Sequence, residues 1–91
     1  MYKIIIKERA RQDISYLKKT KGKAIVEKID RLLQELMIHP KTGTGKPEQL
    51  KYDYAGFWSR RIDSTHRLIY TIEEEIVTVT VISAFGHYNN K

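Results

Sequence analysis

The sequence contains no cysteine and only two prolines. Without thiols the chain can form neither a disulfide framework nor a thiolate metal site, and a cysteine nucleophile is excluded. This absence fits a reducing cytoplasm, where we expect the protein to act. No apolar run approaches the roughly 20 residues of a membrane span, and MYKIIIKERA has too short an apolar run for a signal peptide. We therefore expect a cytoplasmic protein that does not contact membranes.

The sequence also lacks the usual spacing patterns of metal and nucleotide sites. Its three histidines are scattered, without a His-x-x-x-His pair, and the acidic run Glu73–Glu75 has the character of a hairpin turn. The segment GTGKPE has neither the spacing nor the following helix of a phosphate-binding loop. These absences predict a function that uses no metal ion and no cofactor.

Positive charge is concentrated at the start of the chain. The formal net charge is +6, and residues 1–24 supply all of it through eight basic and two acidic side chains. Such a surface favours a polyanion, most simply RNA or DNA, or an acidic protein partner. A solvated, lysine-rich helix face explains the charge equally well, so charge alone leaves the two readings open.

The first half of the chain predicts one strand and two helices within a single domain covering residues 1–91. Tyr2–Glu8 is a β-branched run bounded by charges, which predicts a strand. Amphipathic helices follow over Arg9–Lys19 and Lys23–Ile38, separated by Gly22, and the second must end before Pro40. Antiparallel packing of the two helices would bury one apolar stripe from each, namely Ala10, Ile14 and Leu17, and Ile25, Ile29, Leu32, Leu33 and Leu36.

The second half predicts a long loop followed by an antiparallel meander. Residues 39–56 lack sustained periodicity and are expected to be loop or very short strand. GFWSRRID, HRLIYTI and IVTVTVISAF then read as three strands joined by hairpin-length connections. Together with the first strand they predict an α+β fold with one twisted sheet. In the last strand we expect Val77, Val79 and Val81 to face the helices and Thr78 and Thr80 to face away.

Strand alternation separates the two adjacent arginines of GFWSRRID. Neighbouring residues of a strand point to opposite faces of the sheet. If Trp58 packs toward the helices, Arg60 shares its face and Arg61 points to the helix-free face. Leu68 suits the core, which sends Arg67 of the next strand to the helix-free face as well. Two arginines are therefore predicted to converge there as an anion site.

The remaining chemical groups suit RNA cleavage without metal. Glu48 lies in the long loop between two lysines, and His87 and Tyr88 follow the last strand. A carboxylate can remove the proton of a ribose 2′-hydroxyl, guanidinium groups can neutralise the phosphoryl oxygens, and an imidazole can protonate the leaving 5′-oxygen. On the residues alone, a solvated Glu48 and a surface His87 remain alternatives.

The run GTGKPEQLKYDYAGFWSRRIDSTHRLIY, with the later His-Tyr pair, resembles the YoeB branch of the RelE/ParE superfamily of toxin–antitoxin toxins. Its typical segments, Gly-x-Gly-Lys-Pro-Glu-x-Leu-Lys, Gly-Phe-Trp-Ser-Arg-Arg-Ile, His-Arg-Leu-x-Tyr and His-Tyr, appear in order. The resemblance covers the whole chain. It implies a compact α+β ribonuclease fold, cleavage of mRNA in the ribosomal A site, and neutralisation by a cognate, YefM-like antitoxin. Partners would then be that antitoxin, the ribosome and mRNA, in a homodimer or a toxin–antitoxin hetero-oligomer.

The resemblance also implies roles for individual residues. It makes Glu48 the general base, His87 the general acid and Tyr88 the aromatic residue that orients the nucleotide. It makes Arg61 and Arg67 the groups that hold the scissile phosphate and stabilise the transition state. The basic first helix would dock on ribosomal RNA. The lysines expected to contact RNA are Lys51, which also assists catalysis, Lys46, to which no chemical step is assigned, Lys18 and Lys19.

Two other functions remain open at this stage. ParE-like toxins share the superfamily and poison a topoisomerase by binding it, although the full set of acid, arginines, imidazole and phenol favours cleavage. A non-catalytic module could instead use its basic helix to bind RNA or an acidic partner. Arrested cells would contain cut mRNA if the protein is a ribonuclease and broken DNA if it poisons a topoisomerase. They would contain neither if it is a binding module.

Overall fold

The computed structural model describes residues 1–85. Two helices cover one face of a five-stranded mixed sheet, so the predicted α+β class is confirmed. In sheet order the strands run β1, β5, β4, β3, β2. The elements are β1 (Lys3–Ile6), α1 (Glu8–Thr20), α2 (Lys23–Ile38), β2 (Glu48–Gln49), β3 (Trp58–Arg61), β4 (Arg67–Glu73) and β5 (Thr78–Ser83), with 3₁₀ turns at Tyr52–Tyr54 and Glu74–Ile76.

Local sequence signals set the limits of both helices. Glu8 lies in the first turn of α1, and Lys18 and Lys19 lie in its last turn, the charge arrangement that the helix dipole favours. Gly22, with φ of 89°, allows the chain to turn between the helices. Because the residue before a proline avoids helical backbone angles, α2 ends one residue before His39.

The predicted helical stripes form the helix side of the core. All three predicted apolar residues of α1 are buried, and α2 contributes three fully buried side chains with Ile25 and Leu33 packed at the edge. From the sheet, alternate residues of the strands complete the same cluster. The buried members are Ala10, Ile14, Leu17, Ile29, Leu32, Leu36, Ile62, Leu68, Tyr70, Val79, Val81 and Ala84.

The sheet contains the predicted meander and two further pairings. β3, β4 and β5 are consecutive and antiparallel, while β1 lies parallel to β5 on one side and the two-residue β2 lies antiparallel to β3 on the other. A register shift at Ile69 and Tyr70 interrupts the β4–β5 pairing. The β3–β4 register is regular, so the shift does not disturb the two arginines.

The start of the last strand differs from the prediction. Val77 is 45% exposed and precedes β5 in a left-handed conformation with φ of 47°, so it is wrong to place it on the apolar face. The acidic residues before it form a 3₁₀ turn, and this turn needs a residue with positive φ to re-enter the sheet. Val79 and Val81 face the core as expected.

Neither helix among residues 1–85 is long and apolar enough to cross a membrane.

Candidate active site

The two adjacent arginines of β3 lie on opposite faces of the sheet. Arg60 is fully buried on the side of the helices, and Arg61 is exposed on the helix-free side. Both assignments follow from the alternation of side chains along a strand, as predicted. Arg61 is therefore the arginine of β3 that a ligand on the open face can reach.

Arg61 and Arg67 are direct neighbours across the sheet. The register of β3 and β4 pairs the two residues opposite each other, which places their β-carbons about 5 Å apart. Like charges directly opposite each other destabilise a sheet. Among residues 1–85, no carboxylate forms an ion pair with Arg61. This pair of guanidinium groups is an arrangement that a bound phosphate would stabilise.

Glu48 joins the arginines from the edge of the sheet. It lies in β2, opposite Ser59 of β3, and its Oε1 is 3.4 Å from Nη1 of Arg67. The Glu48 side chain is 54% exposed and that of Arg67 is 22% exposed, so the pair is open to a ligand. The structure thus brings together residues from three neighbouring strands, with the Glu48 carboxylate at the strand edge next to Arg67.

Ser59 is a member of this cluster that the sequence did not single out. Its side chain is fully buried, and its Oγ accepts a hydrogen bond of 3.1 Å from Nη1 of Arg67. Glu48 and Ser59 therefore hold the same nitrogen of Arg67. Alternation along β3 puts Ser59 on the same face as Arg61, so a search for polar neighbours of the arginines would have found it.

The four predicted RNA-contacting lysines fall into two groups. Lys46 and Lys51 are exposed and flank β2, on the segment that carries Glu48. Lys18 and Lys19 are in α1, on the opposite side of the sheet from the arginine pair. Lys18 donates a hydrogen bond of 2.8 Å to Asp30 of α2. The lysines of α1 therefore belong to a second surface, separate from the site.

The predicted general acid and stacking residue, His87 and Tyr88, lie outside the described residues. The described part of the site is thus Glu48, Ser59, Arg61 and Arg67, with Lys46 and Lys51 on the adjoining segment. Within residues 1–85, no three side chains of the His, Asp or Glu types form a group that could hold a metal ion.

This set of groups can bind an anion and move a proton. Both partners of Arg67 within residues 1–85 lie at Nη1, and a guanidinium carries five N–H donors. A phosphate can therefore accept bonds from the other nitrogens of Arg67 and from Arg61 while Glu48 stays nearby as an acceptor of protons. These are the requirements of phosphodiester chemistry at an alcohol nucleophile.

The fold defines the class of protein. The structure superimposes on a YoeB/ParE toxin from Agrobacterium tumefaciens with a TM-score of 0.84 and 36% sequence identity, covering 94% of this chain and 99% of the other. It also matches the heterotetrameric YoeB–YefM toxin–antitoxin complex from Staphylococcus aureus with a TM-score of 0.78 and 34% identity, over 97% of this chain and 99% of that chain. By fold, the molecule belongs with these YoeB-type toxins.

Sequence comparison places it within that class. The family model for the YoeB-like toxin of bacterial type II toxin–antitoxin systems matches residues 6–88. Toxin YoeB of Escherichia coli K12 is 40% identical over 77 residues, which cover 85% of this chain and 90% of that protein. The chain belongs to the YoeB-like toxin family, as its motifs predicted.

Proposed function

We propose that the protein is a metal-independent endoribonuclease that cuts mRNA in the ribosomal A site and so inhibits translation. The observation that carries the proposal is the convergence of Glu48, Arg61 and Arg67 on the helix-free face, with Glu48 and Arg67 in contact at 3.4 Å. Membership of the toxin family supports it.

The reaction begins with the substrate's own nucleophile. Glu48 removes the proton of a ribose 2′-hydroxyl, and the 2′-oxygen attacks the adjacent phosphorus. RNA supplies this hydroxyl, so the protein needs no nucleophilic side chain. The requirement for a 2′-hydroxyl restricts the substrate to RNA.

The arginines stabilise the charge that grows on the phosphoryl oxygens. Arg61 and Arg67 face each other across β3 and β4, so one phosphate can bridge them. Ser59 accepts a hydrogen bond from Nη1 of Arg67, which helps to orient the guanidinium before the substrate binds. Donors that are already oriented cost no reorganisation when the charge develops.

The leaving group departs from the opposite side of the phosphorus. His87 donates a proton to the 5′-oxygen as the P–O5′ bond breaks, and Tyr88 stacks on a base at the cut. The products are a 2′,3′-cyclic phosphate, or the 3′-phosphate formed from it by hydrolysis, and a 5′-hydroxyl end. Lys51 and Lys46 hold the backbone beside the cut.

The partners follow from the same proposal. A YefM-like antitoxin binds and neutralises the protein, as the S. aureus complex combines a YoeB with a YefM. The basic face of α1, with Lys19 exposed in its last turn, docks on ribosomal RNA. The ribosome and mRNA complete the set of partners, and the protein acts in the cytoplasm.

Growth arrest on expression tests the assignment of the residues. Glu48→Gln, Arg67→Ala and His87→Ala should each relieve arrest by removing the base, a phosphate ligand or the acid, with activity losses of about 10²-fold or more. The exposed residues Glu75 and Arg31 supply matched controls, as Glu75→Gln and Arg31→Ala should arrest growth like the wild type. All variants should still fold and bind antitoxin. A soluble triple variant that arrests growth as strongly as the wild type would show that this mechanism is wrong.

A further inference from the structure

Arg60 is fully buried and lies at the centre of a partly buried hydrogen-bond cluster beneath the candidate site. Its Nε donates to Tyr70 Oη at 3.3 Å, Nη1 donates to Glu35 Oε1 at 2.9 Å and to the Thr44 carbonyl at 3.4 Å, and Nη2 donates to the carbonyls of Thr42, at 2.6 Å, and His39. A buried guanidinium is costly unless its donors are satisfied. Here every nitrogen of the guanidinium has a partner.

Most of these partners belong to the segment that links α2 to β2. Glu35 extends the cluster into that segment, because it accepts hydrogen bonds of 2.7 Å from both the backbone N–H and the hydroxyl of Thr44. Burial raises the pKa of the Glu35 carboxyl, but the bonds from Thr44 and then Arg60 outweigh it, so the pKa lies below its ordinary value. Glu35 is therefore a carboxylate at neutral pH, as the cluster requires.

The same segment packs closely against the backbone of β3. The N–H of Arg61 donates to the Gly45 carbonyl at 2.6 Å. A β-carbon on Gly45 would lie 2.7 Å from the Arg61 carbonyl oxygen, and one on Gly43 would lie 2.4 Å from Glu35 Oε1. The absence of side chains at Gly43 and Gly45 therefore allows this segment to pack closely against Glu35 and β3.

Only two residues separate Gly45, the end of this anchored segment, from Glu48. Its own strand consists of two residues and has only two register pairs with β3, too few to fix its position unaided. The chain between Thr44 and Glu48 is short, so any shift of the anchor is transmitted to the Glu48 carboxylate. Anchor and carboxylate lie on opposite faces of the sheet, connected by this edge.

We infer that the cluster of Arg60, Glu35 and Thr44 is a positioning device that sets the Glu48 carboxylate against Arg67. The inference rests on the proposed function for its catalytic consequence, since it assigns the cluster a task in the same reaction. Arg60 never reaches the open face, so its part in catalysis is entirely through the position of Glu48. A misplacement of about 1 Å at a reacting group can cost about 10²-fold in rate.

Thr44→Val tests the inference with little risk to folding, because Thr44 lies in a half-exposed loop and valine keeps its shape. The variant loses the hydroxyl that donates to Glu35, and Thr44→Ser, which keeps it, is the matched control. Backbone hydrogen exchange of the free protein gives a readout that does not depend on activity. We expect the Arg61 and Leu50 amides, which bond to Gly45 and Phe57, to exchange several-fold faster in Thr44→Val. Amides of the β4–β5 pairing should be unchanged.

A double-mutant cycle with Glu48→Gln connects the cluster to catalysis. In single-turnover cleavage of mRNA on ribosomes, Thr44→Val should slow the wild type about tenfold, and Thr44→Ser should restore the rate. In the Glu48→Gln background the same change should slow cleavage less than about twofold, because the group that it positions is gone.

The two readouts separate failure of this inference from failure of the proposed function. Unchanged exchange at Arg61 and Leu50, or equal rate losses with and without Glu48, would overturn the positioning role. Absence of any cleavage by the wild type would instead contradict the proposed function, and faster exchange in Thr44→Val would still support the anchor.

Discussion

Arg60 and Arg61 are adjacent in sequence, yet one is fully buried and the other is exposed. The buried one satisfies its donors with a phenol, a carboxylate and three carbonyls, whereas the exposed one faces a second arginine. Their environments suit different tasks. Arg60 connects the helix layer to the loop between α2 and β2, and the charge of Arg61 is accessible to a ligand. We therefore expect replacement of Arg60 and replacement of Arg61 to have different effects in a functional assay.

Glu35 makes the free energy of unfolding depend on pH in the acid range. Its pKa is lower in the folded chain than the ordinary value of 4.5, so its stabilising contribution is fully present above that pH and is lost as the pH falls through the folded value. We predict that Glu35→Gln lowers the free energy of unfolding by about 1–3 kcal/mol at neutral pH. The difference from wild type should shrink below about pH 4.5.

Urea unfolding of both proteins at several pH values measures this difference. Glu75→Gln, which removes an exposed carboxylate outside the cluster, is the matched control. A loss that stays constant from neutral to acid pH would mean that the Glu35 charge contributes nothing to the cluster.

At the scale of elements, β2 is a two-residue strand whose place depends on the loop before it. Gly45 allows that loop to approach β3, because its φ of 84° and its close contact with Arg61 both exclude a side chain. We predict that Gly45→Ala lowers the free energy of unfolding by about 2–4 kcal/mol, combining backbone strain with steric clash. Gly56→Ala should cost only about 1–2 kcal/mol.

Gly56 is a suitable control because it has a similar φ of 95° and open space around the position of a β-carbon. Thermal or urea unfolding of the two variants isolates the clash from the strain. Equal destabilisation by both substitutions would contradict the close approach of Gly45 to Arg61.

The elements themselves were largely predictable from the sequence. The apolar stripes predicted α1 and α2, with the bounds of α2 correct at both ends, and strand alternation separated Arg60 from Arg61. These features depend on local periodicity, which a sequence displays directly. Val77 was misplaced because it follows the turn with a positive φ of its own, a conformation that a β-branched residue rarely adopts.

The cluster around Arg60 could not be predicted in this way. It joins Glu35, Thr44 and Tyr70, whose separations in sequence carry no periodic signal. Alternation along the strand gives the face of Ser59, but its bond to Arg67 depends on a cross-strand distance that only the register defines. The site residues that the family motifs identified within residues 1–85 do lie close together in the structure.

At the scale of the whole molecule, the sheet separates two surfaces. The helices and their lysines lie on one side of the sheet. Glu48, Arg61 and Arg67 lie on the other. This arrangement suits a protein that docks on ribosomal RNA with one face and presents the other to mRNA. Docking should weaken steeply with salt, whereas the chemical step should depend on the site residues.

Mapping of mRNA ends on translating ribosomes tests the central claim most directly. We predict that primer extension shows cuts within the A-site codon, only when ribosomes are present, with 5′-hydroxyl ends and 2′,3′-cyclic or 3′-phosphate ends. Glu48→Gln should weaken these cuts by about 10²-fold or more. Arrested cells that contain intact mRNA, or broken DNA in place of cut mRNA, would contradict the claim.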